Sequence, residues 1–175
     1  MLFTERPGSA VYSWGHRNPQ GLAWQTGSGV LYSSEHGQSN HDEINIIKAG
    51  VNYGWPLIEG DEAGSGQSEA ELEQPLLHSW EETWAPSGMA FITQGPLAGQ
   101  LLVASLRGEM LLRVSPESGD QPAFVQELFE EEWGRLRNVA EGPDGTLYVM
   151  TNNRDGRGNA GDADDRLIAL KPNWE

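Results

Sequence analysis

The residues best suited to chemistry are concentrated between positions 12 and 56 of this 175-residue chain. They lie in four short runs, 12–21 (YSWGHRNPQG), 34–37 (SEHG), 42–45 (DEIN) and 52–56 (NYGWP). An arginine, amides, histidines and carboxylates stand there among glycines and prolines, which is typical of rigid loops that present polar groups. The pattern indicates a binding or catalytic site built on loops.

The amino-acid composition restricts the possible binding partners and the fold class. The formal net charge is −15, from 26 acidic and 11 basic residues, which argues against nucleic acid or an anionic membrane surface as a partner. No apolar run approaches the ~20 residues that a membrane-spanning helix needs, so no membrane insertion is expected. Residues 1–8 lack the basic and apolar stretches of a signal peptide, and the sequence predicts no export signal within it. The 22 glycines and 10 prolines favour a turn-rich, mainly β protein.

An internal repeat predicts the elements that position these loops. Each repeat has a short apolar strand, a tight turn and a second apolar strand, at 21–24 and 30–34, at 88–91 and 100–105, and at 138–141 and 146–151. The equivalent residues Leu22, Met89 and Val139 are 67 and 50 residues apart, which suits β-propeller blades of ~40–50 residues with insertions. Further strands are predicted at 43–48, 110–114, 123–128 and 166–170, and almost no helix.

About three blades make half of a six-bladed ring, and the chain is predicted to form a single all-β domain over residues 1–175. An open half ring would expose strand edges and blade faces. The favoured interpretation is the C-terminal half of a longer propeller. The alternative is a ring completed by a second copy or another chain.

Two segments are predicted to be loops. Residues 59–75 form an acidic insertion rich in Gly and Ser, expected to be solvated. Residues 152–165 are interpreted as an acidic hairpin tip, with calcium binding by Asp162, Asp164 and Asp165 as the alternative.

Aligning the repeats places polar residues at matched positions near the inner ends of the blades. One set is Asn18, Ala85 and Arg135, and the other is Gln20, Ser87 and Arg137. Within each repeat the two positions are two residues apart, so their side chains project to the same side of an extended segment. Arginine forks bind carboxylates, and the pattern predicts a central ligand carrying carboxylates. The alternative is that these arginines neutralise surface acids.

The runs 12–21 and 52–56 closely resemble the soluble sugar dehydrogenases that use pyrroloquinoline quinone (PQQ), the aldose sugar and glucose/sorbosone dehydrogenase family. The resemblance implies that Arg17 polarises the quinone carbonyl and that Asn18 and Gln20 hold the ring system. It also implies that Arg135 and Arg137 bind cofactor carboxylates. Arg107 is a weaker candidate for a basic residue over the cofactor, with a solvated loop arginine as the alternative.

The resemblance further implies calcium. In the family, consecutive backbone carbonyls bind the Ca²⁺ that contacts the quinone, and these correspond to Gly37 and Gln38. Many relatives have proline at the second position, so Gln38 departs from the pattern. Asp42, Glu43 and the Tyr53 carbonyl are candidates for a second, structural calcium site. The alternative is that these carboxylates cap backbone amides at a blade junction.

The implied activity is PQQ- and calcium-dependent oxidation of aldose sugars to lactones, with an external electron acceptor, in the periplasm. The family's histidine base lies in an earlier blade and is expected outside this sequence. A non-catalytic propeller binding module and a calcium-dependent lactonase-type hydrolase remain alternatives. The tryptophans are expected mainly in the core or between blades.

Overall fold

The computed structural model describes residues 11–61, 72–116 and 123–171. Within these ranges the regular elements are eleven strands and one short 3-10 turn, Gly95–Leu97. The strands are β1 Pro19–Trp24, β2 Leu31–Glu35, β3 Glu43–Ile47, β4 Leu77–His78, β5 Pro86–Phe91, β6 Leu101–Ser105, β7 Leu111–Ser115, β8 Phe124–Leu128, β9 Leu136–Glu141, β10 Leu147–Thr151 and β11 Leu167–Leu170. The prediction of an all-β chain is confirmed.

The strands form three antiparallel sheets in chain order. The first blade is β1-β2-β3-β4, the second is β5-β6-β7-β8 and the third is β9-β10-β11. The strand that opens each blade packs against its counterpart in the next, β1 on β5 and β5 on β9. This is the arrangement of neighbouring propeller blades. The three predicted hairpins are present, whereas the two-residue strand β4 was missed because it is too short for a periodicity to show.

Glycines at matched repeat positions let the inner strands approach closely. A Cβ on Gly21 would lie 2.3 Å from the Ser87 carbonyl oxygen, and one on Gly88 would lie 1.8 Å from Asn138 Oδ1. Any larger residue would force the blades apart. A groove of about 620 Å³ runs along these inner strands and is lined by all three blades.

Two apolar clusters lie on either side of the second blade. Leu101 and Val103 of β6 pack toward the first blade, while Leu102 and Ala104 pack toward the third. Because alternate side chains of a strand point to opposite faces, a strand covered on both faces is apolar throughout. This accounts for the uninterrupted apolar run of β6, whose five residues are all buried.

The outer blades each have one covered and one uncovered face. On β1, Ala23 is buried, whereas Leu22 and Trp24 are 57% and 61% exposed. On β10, Tyr148 and Met150 are also exposed, between buried neighbours. The expectation that tryptophans are mainly buried is wrong for three of them, Trp14, Trp24 and Trp80. Apolar residues on both outer faces are what an incomplete ring would present.

Two predictions fall on parts of the chain outside the described residues. These are the absence of a signal peptide in residues 1–8 and the solvated character of residues 62–71 within the acidic insertion. Among the described residues, no helix has the length and apolar character to span a bilayer.

Candidate functional site

A buried carboxylate holds the central loop, residues 13–18, against the first blade. Glu35 is 2% exposed and accepts hydrogen bonds from the backbone N–H groups of Arg17 (2.8 Å) and Asn18 (3.2 Å). Its other oxygen pairs with His16 Nδ1 at 3.0 Å and accepts from Asn45 Nδ2 at 3.1 Å. Both carboxylate oxygens of Glu35 therefore have hydrogen-bond partners, as a buried carboxylate requires. These bonds fix the loop backbone against the first blade.

The 52–56 run forms the platform beside this loop. The N–H groups of Tyr53 and Trp55 donate to the carbonyls of Trp14 and Gly15, at 2.9 Å each. A Cβ on Gly15 would lie 2.1 Å from Asn52 Oδ1, and Gly15 has φ +75°, so glycine is required on both counts. The Tyr53 ring stacks on His16 with centroids 4.6 Å apart. The two runs are one structural unit although 33 residues lie between them.

Arg17 is held at the edge of this unit. Its NH1 donates to the His36 carbonyl at 3.0 Å, and its guanidinium carbon lies 5.3 Å from the centre of the Trp55 ring, within cation–π range. Its Nε is buried and has no hydrogen-bond partner among the described residues. A buried cationic donor without a partner is suited to an anionic or polar ligand.

A chain of polar contacts joins the three blades. Gln20 Nε2 donates to Asn18 Oδ1 at 2.8 Å, and Arg137 NH1 donates to Gln20 Oε1 at 3.4 Å and to Ser87 Oγ at 3.2 Å. Gln20, Ser87 and Arg137 are the residues that the repeat alignment placed in register. The alignment therefore identified positions that meet in three dimensions.

A cavity of about 600 Å³ opens on the loop side of the blades. Its lining includes Arg17 and Asn18 of the first blade and Arg107 of the second. Gly37, Gln38 and Asp42 also line it. This volume lies in the usual range for small-molecule sites. Six of the predicted site residues thus border one cavity.

Arg107 and Arg157 are the exposed arginines of this lining. The backbone N–H of Arg107 donates to the Trp84 carbonyl at 3.1 Å. Arg157 belongs to the third-blade loop, residues 152–165, and brings a third arginine to the cavity. Sequence reasoning missed it because that loop was interpreted only by its acidic residues.

Arg135 has a different setting from Arg137. Its side chain is 8% exposed and pairs with Asp155 at 2.9 Å, and its NH1 donates to the Leu106 carbonyl at 3.3 Å. Like Arg137 and Gln20, it does not border the cavity that Arg17 lines. Its NH1 and NH2 groups bond within the protein, whereas its buried Nε has no hydrogen-bond partner among the described residues. Its predicted contact with a cofactor stays a prediction.

The segment proposed for calcium is tightly folded. The N–H of Gly37 donates to Asp42 Oδ1 at 3.0 Å and that of Gln38 to Glu59 Oε1 at 2.9 Å. A Cβ on Gly37 would lie 1.8 Å from the Asn40 carbonyl oxygen. The carbonyls of Gly37 and Gln38 accept no hydrogen bond from the described residues, so hard oxygen ligands remain available.

Asp42 acts as a cap at the junction of two blades. It is 2% exposed, and its second oxygen accepts from the N–H of Ala85 at 2.7 Å. These bonds fit the alternative interpretation, a buried carboxylate that satisfies backbone amides. Calcium binding by Asp42 stays a prediction.

Glu43 and Tyr53 border a second, much smaller cavity of about 10 Å³, together with Glu35 and Glu59. Glu43 accepts from the N–H of Gly60 at 2.9 Å and from Asn45 Nδ2 at 3.0 Å. Burial raises the pKa of Glu43, and the charges of Glu35 and Glu59 add to this rise. The space suits about one water-sized species.

No group of three or more His, Asp or Glu side chains is arranged to hold a metal ion within the described ranges. The third-blade loop is closed by its own carboxylates, since Asp165 Oδ1 accepts from the N–H groups of Asn153 (2.5 Å) and Arg154 (3.2 Å). Asp164 accepts from Gly161 N–H and from Arg166 Nε at 2.8 Å each.

His36 lies between the two cavities and lines both. Burial lowers the pKa of His36, partly opposed by the charge of Asp42. The neutral ring is therefore favoured next to the Arg17 guanidinium.

Glu35 is the main residue that the predicted site set omitted. A lone carboxylate at a strand end carries no sequence signal of burial, since acidic residues are mostly exposed. The backbone N–H groups just before Pro19, those of Arg17 and Asn18, need an acceptor. This need is the signal that could have identified Glu35.

The three blades define a partial β-propeller with an arginine-lined cavity as its candidate site, and the comparisons identify its family. The glucose / sorbosone dehydrogenase family profile matches residues 3–161. The chain is 34% identical over 157 residues to aldose sugar dehydrogenase YliI of Escherichia coli (strain K12), covering 83% of this chain and 42% of that protein. It is similar in structure to the PQQ-bound aldose sugar dehydrogenase of Streptomyces coelicolor, with TM-score 0.78 and 43% identity over 97% of this chain and 47% of that one.

A glucose dehydrogenase structure from Thermus thermophilus, described as a putative oxidoreductase, gives a TM-score of 0.78 at 42% identity, covering 97% of this chain and 49% of that one. The chain belongs to the glucose/sorbosone dehydrogenase family. It spans about half the length of the relatives it matches. The predicted fold, a partial propeller of the six-bladed type, is confirmed.

Proposed function

We propose that this chain forms the cofactor-binding half of a sugar dehydrogenase that uses PQQ and calcium to oxidise aldose sugars to lactones. The observation that carries the proposal is the single cavity lined by Arg17, Asn18, Arg107 and the 37–38 segment. The half ring needs a partner to cover its outer faces. The proposed partner is an N-terminal half of the propeller, with a second copy of the chain as the alternative.

The residues of the cavity fit a flat quinone with three carboxylates. Arginines supply the countercharges, and the unpartnered Nε of Arg17 offers a donor to a quinone oxygen. When bound, PQQ would supply the hydride acceptor for oxidation of the sugar. Arg17 would stabilise negative charge that develops on the cofactor, while Asn18 and Gln20 hold the ring and Arg137 contacts a carboxylate.

Calcium is proposed at the Gly37 and Gln38 carbonyls. The donor set consists of hard oxygens, which calcium prefers, and the close packing of Gly37 on Asn40 supports a rigid position for them. The base that takes the sugar hydroxyl proton is proposed to come from the other half of the ring. The periplasmic location and the external electron acceptor rest on the family resemblance alone.

A titration with PQQ, with and without Ca²⁺, tests the proposal. Trp55 lies over Arg17, so tryptophan fluorescence should be quenched when the cavity fills. We expect saturable, calcium-dependent quenching that weakens in Arg17→Ala and Arg137→Ala. The matched control is Arg113→Gln, which removes a charge on β7 outside the cavity.

The titration is repeated after adding the N-terminal half of an aldose sugar dehydrogenase. No quenching in either state would contradict the proposal and favour a non-catalytic binding module. Hydrolysis of a lactone without PQQ would instead favour the hydrolase alternative.

A further inference from the structure

We propose that Arg157 is a further contact for a carboxylate of the bound cofactor, and that Arg135 acts through Asp155 to place it there. This inference rests on the proposed function for the identity of the ligand. It concerns the third-blade loop, which the sequence-based site set did not include.

The first step is the charge of the cavity. Arg17, Arg107 and Arg157 approach it from the first, second and third blades, respectively. The carboxylate in its lining is Asp42, whose two oxygens already accept from the N–H groups of Gly37 and Ala85. In a chain of net charge −15, a cavity with three arginines and one capped carboxylate is locally cationic. Such a cavity selects an anion with several carboxylates.

The second step is how Arg157 is positioned. One oxygen of Asp155 accepts from the backbone N–H of Arg157 at 2.9 Å, and the other accepts from Arg135 NH2 at 2.9 Å. Arg135 is in turn fixed by the Leu106 carbonyl of the second blade. The backbone of Arg157 is thus tied to the blade junction through one carboxylate.

The third step is the close contact of the loop tip with Arg135. A Cβ on Gly158 would lie 2.7 Å from Arg135 Cδ and 2.8 Å from Asn153 Cα, so the loop can fold over Arg135 only with glycine there. Gly156 has φ +83°, which reverses the chain between Asp155 and Arg157. Residues 155–158 therefore wrap around the Arg135 side chain, with Arg157 bordering the cavity.

The pKa of Asp155 is lowered first by the N–H of Arg157, and the Arg135 guanidinium contributes further. The carboxylate is therefore charged at neutral pH, in agreement with its two hydrogen bonds. On this arrangement, Arg135 is a positioning residue and Arg157 is the group that touches the ligand.

Isothermal titration calorimetry of the full chain tests this with two probes, PQQ with Ca²⁺ and benzene-1,3,5-tricarboxylate. A charge-assisted hydrogen bond corresponds to roughly a tenfold change in affinity. We expect Arg157→Gln to weaken PQQ binding about tenfold and Arg157→Lys to restore part of it. Arg113→Gln, which makes the same charge change outside the cavity, should leave the affinity unchanged.

A second variant tests the positioning role. Gly158→Ala keeps every charge but cannot fold over Arg135, and it should weaken PQQ binding by a similar factor. Because added salt screens exposed charges, the affinity of Arg157→Gln should also depend less on salt than that of the wild type. A simple loss of folding would not produce this change in salt dependence.

The outcomes separate this inference from the proposed function. If Arg17→Ala loses PQQ binding while Arg157→Gln binds like the wild type, Arg157 is not a contact and the proposed function stands. If the tricarboxylate binds in an Arg157-dependent way and PQQ does not bind, the contact stands and the proposed function is wrong. Failure of both probes to bind the wild type would overturn both.

Discussion

Two loops bring arginine to the same cavity but are held in different ways. The central loop, with Arg17, is fixed by the buried carboxylate of Glu35, which reaches it from a neighbouring strand. The third-blade loop, with Arg157, is closed mainly by carboxylates of its own segment. The first loop therefore depends on the packing of the first blade. The second is organised largely within itself and is linked to the second blade through Arg135.

The largest expected effect of a single change is on the central loop. Glu35→Ala leaves the backbone N–H groups of Arg17 and Asn18 without their buried acceptor, and should lower the free energy of unfolding by about 3 kcal/mol. Urea denaturation followed by tryptophan fluorescence measures this. The same variant should lose PQQ quenching.

The matched control for this comparison is Glu141→Ala. Glu141 also accepts several hydrogen bonds, from Thr93 and Gln94, but these are exposed to solvent. We expect a loss of about 1 kcal/mol or less. Equal losses in the two variants would show that burial of Glu35 is not what holds the central loop.

A smaller effect should distinguish the two arginines of the third blade. Arg135→Met removes a buried guanidinium that bonds Asp155 and Leu106, and should cost about 2 kcal/mol of unfolding free energy. Arg137 is exposed, so Arg137→Met should change stability by less than about 0.5 kcal/mol. Denaturation curves give the stabilities and PQQ titration gives the affinities.

Arg137→Met is expected to reduce PQQ affinity, because the proposed function assigns a cofactor carboxylate to Arg137, which bonds Gln20 and Ser87 at the blade junction. An Arg135→Met variant that binds PQQ like the wild type would argue against the positioning role of Arg135. A large stability loss in Arg137→Met would show that its contacts are structural.

The smallest effect concerns pH. Burial lowers the pKa of His78 below 6.5, and the neighbouring His41 lowers it further against the opposing charge of Asp61. Below pH 6.5 the unfolded state therefore binds more protons than the folded state, and His78 subtracts stability as the pH falls toward its folded pKa. In the third-blade loop, the hydrogen bond from the Gly161 N–H lowers the pKa of Asp164 to about 2, so its contribution is present above about pH 4 and is lost progressively as the pH falls from there through 2.

Denaturation at pH 7.5 and pH 5.5 should therefore show a smaller acid-dependent loss in His78→Gln than in the wild type. The comparison uses the difference between the two proteins because Glu43, whose pKa is raised, stabilises the folded state on acidification. The same pH dependence in both proteins would exclude His78 as the source.

The repeats made much of the fold predictable. Apolar strands with turns between them at 67- and 50-residue spacing gave three hairpins, and the matched glycines Gly21 and Gly88 occur where inner strands approach closely. The register also brought Gln20, Ser87 and Arg137 together. The repeat alignment was less informative for Arg135, because the position of this arginine in the repeat does not reveal the acidic residue that pairs with it.

The exposed tryptophans show another limit. Trp24 lies in an apolar strand, and the sequence around it predicts a buried side chain. Only the three-dimensional arrangement shows that the face of β1 that carries it has no neighbouring blade among the described residues. The prediction of an incomplete ring was confirmed, but the sequence could not assign particular residues to the uncovered faces.

The sequence by itself determined the all-β class, the repeat and the family, because strand alternation, turn residues and loop motifs are local in the chain. Only the tertiary structure decided which charges are free to bind a ligand. Glu35 and Asp42 are occupied by backbone amides and Arg135 by Asp155, whereas Arg17 and Arg157 reach a cavity. The physical reason is that the availability of a charged group depends on its partners and burial, and these come from segments far apart in sequence.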